Sequence, residues 1–550
     1  MSRSTATYVV QLAQFYGLEM NAHLVLEDKP TRQDQKLKKL SKYLQQHPSG
    51  WKKRLELADL LCSTGNWPQA VQEYRQVLQR QPQLMEVQLQ LGKILHLMGR
   101  KAEAIEVYQS ALFLSDNVAT QHHVNGLIEV CRCCPQQAVR MFESAASTEP
   151  NNPAHWYALA QVHLDMESPV TALRAFDAVL SINSDDIVAL SQSYDPLLAV
   201  GNFQEAQRRL ERSLKLAPND CRTLERLVAH RCHQGLVSGE AGKQTKQLIQ
   251  TVLRVAPDAA NPHQALSLYH IRRGEWSKGV AVLQKFTEEH PNSPSGWYHY
   301  ALSLFQTGNS QSAAEAILKA HTLYQNDCEI YRALCEILPA AERLEELRLT
   351  SPPTLFLQGE GSHALSASPT PSASPASLLE KMLQRFPQRW SVWVTAGRVL
   401  VESFSDSTRG CTFSAKAVQL QPQLADSWFR HGRVLALAGR HQEAVVALEQ
   451  GWQQLPQQGS FLQSVPAAVW LGESYQVLGE SAISRRWWEE ACHRANALMD
   501  YNPATAYYWQ GRALSALGDG TGAKQAYRNG LSQQLLYPVR SEVMEALKRL

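Results

Sequence analysis

At about 150 residues per domain, a chain of 550 residues holds three or four domains unless an internal period governs it. Apolar residues make up 44% and charged residues 19%, which excludes wholesale disorder, a collagen-like chain and a disulfide scaffold. Fifty-four Lys plus Arg against 51 Asp plus Glu leave a formal charge of +3, too small by itself to point to nucleic acid or a membrane surface. Ten cysteines without paired spacing suit a reducing cytosol, and the cytoplasm is the expected location. There is no apolar run on the order of 18 residues, the length a membrane span needs. The opening MSRSTATYVVQLAQFYGLEM lacks the cleavage pattern of an export signal, and its YVVQLAQFYGL reads as a capping helix.

In chain order, the segment TRQDQKLKKLSKYLQQ at 31–46 places Leu37, Leu40 and Leu44 on one helical face. Pro48 follows, 34 residues before Pro82, so residues 1–48 read as capping helices with a degenerate half repeat. Lys29, Arg32, Lys36, Lys38, Lys39 and Lys42 against Asp28 and Asp34, continued by Lys52, Lys53 and Arg54, make this region basic; a solvated outer face is the leading reading and an anion-binding patch the alternative.

From 49 to 340 a 34-residue period takes over. GNWPQAVQEYRQVLQRQP aligns with GRKAEAIEVYQSALFLSD, and the step extends through three columns. The columns are Ala70, Ala104, Ala138, Ala172 and Ala206; Tyr74, Tyr108, Phe142, Phe176 and Leu210; and Val77, Ala111, Ala145, Val179 and Ser213. Each unit carries two apolar stripes of helical spacing broken at a Gly, as at Gly99, and commonly ends on Pro, as at Pro82, Pro150 and Pro291. A lone helix pair cannot bury its stripes, so neighbouring pairs must stack. These columns resemble the tetratricopeptide repeat (TPR) family, whose 34-residue helix-turn-helix signature they match. The resemblance implies an all-α fold, a right-handed α-solenoid of about twelve units with a concave groove. Further copies begin at Gly274, Gly308, Gly439, Gly479 and Gly518, and degraded units span 221–257 and 389–422. Between 341 and 376 the register is lost in GEGSHALSASPTPSASPAS, which reads as a Pro/Ser/Ala-rich linker between an N-terminal solenoid and a C-terminal one at 377–550. A final helix at 539–550 reads as the cap.

The sequence has no phosphate loop, dinucleotide fingerprint, HExxH or nucleophile elbow, and repeats and linker leave no stretch for a catalytic domain. The expectation is a non-enzyme with no cofactor and no metal. The cysteine-rich QHHVNGLIEVCRCC (His122, His123, Cys131, Cys133, Cys134) and the group His230, Cys232 and His233 lack zinc-site spacing, and their Cys residues read as buried thiols. The family geometry implies that the first helix of each unit faces the groove. The places that would point inward hold Lys93, His96, His123, Tyr157, Gln161, Arg226, His230, Tyr298 and Phe305, then Phe429, Arg433, Tyr508 and Arg512. Tyr, Phe, Arg and His combine apolar area with directed hydrogen bonds, as binding hot spots do. The competing role for the aromatics is packing between adjacent first helices. The repeated Lys and Asn clamp for a C-terminal carboxylate is missing, so an internal peptide or helix of a partner protein is the expected ligand. The alternative is a regulatory module that docks nucleic acid or an anionic surface through the basic N-terminal segment.

Overall fold

A computed structural model describes residues 30–63, 66–347, 377–455 and 463–550. The expected capping helix before residue 30 and linker residues 348–376 lie outside them. The described residues form α-helices with one 3-10 turn at Leu344–Leu347 and contain no strand. Helices run in pairs, such as Met85–Leu97 with Lys101–Phe113, Pro153–Asp165 with Pro169–Ile182, and Ala425–Leu437 with His441–Gln453.

The three columns are the interior of these pairs. Ala70, Ala104, Ala138, Ala172 and Ala206 are all fully buried, and Tyr74, Tyr108, Phe142, Phe176 and Leu210 expose no more than 1%. The aromatic of each second helix needs space on its partner, and a Gly on the first helix commonly provides it. A Cβ on Gly126 would lie 2.5 Å from the Phe142 ring, and one on Gly511 would lie 2.5 Å from Tyr527. The pair can therefore approach until ring meets backbone.

The turn between the two helices is set by left-handed backbone. Gly99, Cys133, Glu167, Gly201 and Gly235 all have positive φ at steps of 34 residues, with values of 77°, 60°, 55°, 77° and 77°. Gly adopts this conformation freely, whereas Cys133 and Glu167 hold it against steric cost. The closing Pro has a recurring partner too. Trp156, Trp297, Trp393 and Trp428 each donate from Nε1 to the carbonyl of the Pro six residues earlier, at 2.8 Å in every case. One aromatic thus satisfies a helix-end acceptor and joins consecutive pairs.

The chain divides into two compact units: Met1–Leu198, Gln204–Leu227 and Gln250–Ala259 in one, and Ala199–Phe203, Val228–Ile249 and Ala260–Leu550 in the other. Leu334, Leu338 and Leu347 share one core with Leu379, Met382, Leu383 and Trp393, so the helices described on the two sides of 348–376 pack together. In this unit the first helices of successive pairs, Trp390–Phe404, Ala425–Leu437, Ser464–Val477 and Pro503–Ala516, also pack against one another in series.

Candidate binding groove

In the first unit the expected groove residues lie on successive first helices and are mostly engaged within the protein. Lys93 is half-buried, and burial pushes its ammonium pKa down to about 8. His96 Nδ1 is 3.2 Å from Cys131 Sγ, and burial lowers the imidazole to about 4, so it is neutral at pH 7. His123 is buried, with its Nδ1 3.0 Å from His155 Nδ1 and its ring 5.2 Å from Phe142. Burial and the nearby Lys93 charge hold it well below the usual histidine range. The Tyr157 hydroxyl donates to Asp186, which also caps the helix Ile187–Gln192 by accepting from Ala189 N. Gln161 donates to Asp165 at 2.8 Å. Arg226 donates to the Ser191 carbonyl at 2.7 Å and to Asp195 at 2.6 Å.

Three more of the expected groove residues are buried. Phe429 exposes 0% and lies against Gly451 and Trp452. His230 also exposes 0%, its ring 5.2 Å from Tyr501. Phe305 exposes 8% because Tyr537 covers it edge-on at 5.2 Å, and Tyr537 N donates to the Gln306 carbonyl at 3.1 Å. First helices that touch bury the residues on their shared border, which is the packing role that competed with binding for these side chains. Tyr298 remains half-exposed, and burial with the nearby carboxylates of Glu329 and Asp327 raises its hydroxyl pKa.

The structure brings the other three together. Arg433 donates to Glu473 at 3.5 Å, Arg512 donates to the same carboxylate, and Arg512 also donates to the Tyr508 hydroxyl at 3.2 Å. Tyr508 in turn donates to Glu542 of the final helix Val539–Arg549 at 2.6 Å. Arg433 lies over Trp470, with the guanidinium carbon 5.5 Å from the ring centre, and Arg512 lies over Trp509 at 5.3 Å. Two guanidiniums thus share Glu473 above a floor of indoles. Burial lowers the Arg433 pKa, whereas for Arg512 the Glu473 charge and the Tyr508 bond outweigh burial and raise it.

Glu473 was absent from the expected set, yet the sequence carried its signal. It stands six residues before the turn Gly479, as Lys93 stands before Gly99, Arg433 before Gly439 and Arg512 before Gly518. The cysteine-rich cluster does not converge, since His123 turns to His155 and Cys131 to His96, while Cys133 accepts from Lys101 at 3.0 Å. All ten cysteines are free thiols. No helix among the described residues is long and apolar enough to cross a membrane.

With the paired helices, the turn column and the Pro–Trp links established, comparison with known proteins gives the same reading. A tetratricopeptide repeat profile matches residues 55–119, 135–187 and 265–327. The chain carries tetratricopeptide repeats over those residues. This repeat fold serves as a protein-interaction scaffold. Over 174 residues the chain is 26% identical to the CTR9 homologue of Arabidopsis thaliana, a match covering 31% of this chain and 16% of that protein. Among solved structures it is similar to the APC/C hetero-tetramer Cut9–Hcn1, with 13% identity over 99% of this chain and 98% of that one and a TM-score of 0.36. It is also similar to yeast Tom70, with 15% identity, 84% and 99% coverage and a TM-score of 0.38.

Proposed function

We propose that the protein is a non-catalytic adaptor that holds a peptide or helix of a partner along the row of its first helices, and that it works in the cytosol. The observation that carries this reading is the polar row Arg433–Glu473–Arg512–Tyr508–Glu542, which crosses three successive first helices and the final helix. Guanidiniums stacked on indoles keep unused donor edges and present flat apolar area beside them, a combination that recognises carboxylates and backbone carbonyls of an incoming segment. Free thiols throughout the chain suit a reducing compartment.

The basic N-terminal segment is less suited to the role. Lys36 and Lys53 pair with Glu56 at 3.2 and 2.7 Å and Arg54 with Glu73 at 2.6 Å, which leaves Lys38, Lys39, Lys42 and Lys52 as the exposed charges outside these pairs.

A photo-crosslinking residue placed at Arg433 tests the reading against one at Arg485, whose side chain is 65% exposed on a second helix. Crosslinks to one partner at the first position and not the second are expected, with capture lost in the double variant Arg433→Gln, Arg512→Gln. Capture that persists in that variant, or crosslinks that form only at Arg485, overturns the groove reading.

A further inference from the structure

Within the second unit, a cavity of about 480 Å3 lies outside the row described above. Its walls come from distant parts of the chain: Cys232 to Gly239, Arg272 and Arg273, the helix start Pro503–Ala504, and Ser532 to Gln534. Two features of these walls favour negative charge. The helices Gly239–Val255 and Pro503–Ala516 both begin at the cavity, and the starts of helices carry partial positive charge and unsatisfied N–H groups. Two guanidiniums line it, and no Asp or Glu side chain is among the lining residues.

The two arginines differ. Arg273 has an acid, Glu275, at 3.1 Å. Arg272 exposes only 9%, yet among the described residues no carboxylate pairs with it. Its donors reach the Gln534 carbonyl at 3.4 Å and the His233 Nδ1 at 3.3 Å, and its Nε is buried without a hydrogen-bond partner. His233 is neutral at pH 7 and serves there as an acceptor. A guanidinium withdrawn from water with long bonds to neutral acceptors is undersatisfied, because a buried cation requires a counter-charge and short charge-assisted bonds. The empty space beside it provides room for one.

We propose that this cavity binds a small molecule bearing an oxyanion, phosphate or carboxylate, with Arg272 as its anchor and the two helix starts completing the cradle. The volume exceeds what a bare anion fills, so the ligand has an organic body beyond the charged group. The site is separate from the protein-binding row and stands whether or not that row takes a partner.

The test is titration calorimetry on the whole chain with inorganic phosphate and, separately, succinate. Two variants accompany the wild type. Arg272→Met removes the anchor, and Ser238→Glu places a fixed carboxylate at the exposed rim and leaves every buried residue in place. Saturable binding of either probe to the wild type, weakened at least tenfold in Ser238→Glu with unchanged helicity, supports the site. Which probe binds identifies the source, phosphorylated or carboxylic. Should Arg272→Met fail to fold, Ser238→Glu alone decides. The proposal falls if neither probe binds the wild type saturably, or if Ser238→Glu binds as tightly as the wild type.

Discussion

Gly472→Ala tests the packing logic of the whole array at the position most closely tied to the binding row. A Cβ there would lie 2.9 Å from Cε2 of Trp488 and closer still to its Nε1 and Cδ1. The indole is 8% exposed and walled by Ala468, Val469, Ala491 and Ala513, so it has no empty space to enter. Its Nε1 has no hydrogen-bond partner among the described residues, so the penalty is steric. Overpacking a core by one methyl costs about 1–3 kcal/mol, while Gly to Ala inside a helix returns about 1 kcal/mol. The expected net loss is up to about 2 kcal/mol. In a Trp488→Leu background the same methyl has room, and the change there should stabilise by about 1 kcal/mol, giving a coupling of about 1–3 kcal/mol. A repeat array need not unfold in one step, so denaturant curves should be read together with hydrogen exchange of the amides in 464–498. Because Glu473 is the next residue, faster exchange should be accompanied by weaker partner capture. A Gly472→Ala protein with unchanged exchange, or a coupling near zero, would refute the ring-against-backbone account.

Glu167→Gly should stabilise by about 1 kcal/mol, read as a rise in thermal midpoint, because Glu167 holds φ 55° where its counterpart Gly99 sits at 77° without steric cost. Acid should weaken the fold well above the carboxylate range. Burial lowers His96, His163, His230, His299 and His431 to about 4 and His233 to about 3. Between these values and the ordinary 6.5 the unfolded chain takes up protons that the native one refuses, so stability is full above 6.5 and is lost as pH falls through 4. Thermal midpoints measured from pH 7 to 4 should fall steadily, and a flat profile would contradict this. Replacing Lys38, Lys39 and Lys42 with Glu should leave partner capture unchanged; loss of capture would move the binding surface to the basic segment.

What the sequence disclosed is what recurs along it. Ala104, Tyr108 and Ala111 repeat every 34 residues because each stacked pair meets the same neighbour, and so they could be found without knowing how any pair was placed. Left-handed turns at Cys133 and Glu167 were visible only as positions in a Gly column, since neither residue favours that backbone. Of the proposed binding row, Arg433, Tyr508 and Arg512 were among the expected residues and Glu473 was not, although it stands six residues before Gly479 as Arg433 and Arg512 stand before their own turn glycines. The burial of Phe305, Phe429 and His230 could not be read from the sequence, because facing inward and facing the next helix are adjacent directions on one helical surface, and only neighbouring backbone decides between them. Of the cavity around Arg272 only Cys232 and His233 stood out in the sequence, since its walls lie hundreds of residues apart along the chain.

The pairing within the row constrains what a partner must be. Glu473 already pairs with two guanidiniums, and Glu542 accepts from Tyr508, so at rest the row carries as many acidic as basic groups. A partner therefore gains little from bulk electrostatic attraction, and its association rate should depend weakly on salt. Affinity must come from bonds that outdo the internal ones. The longest of these is the 3.5 Å contact from Arg433 to Glu473, and Arg433 is also the guanidinium whose pKa burial depresses. An incoming carboxylate aligned with both its nitrogens would make a shorter, bidentate pair and return Glu473 wholly to Arg512. Arg433→Lys keeps the charge but loses the planar fork, so it should weaken a partner bound in this way about tenfold, on the order of 1.4 kcal/mol, through faster dissociation with little change in association. Surface plasmon resonance with the crosslinked partner separates the two rates. Equal dissociation from wild type and Arg433→Lys would show that charge alone holds the partner and that the fork plays no part.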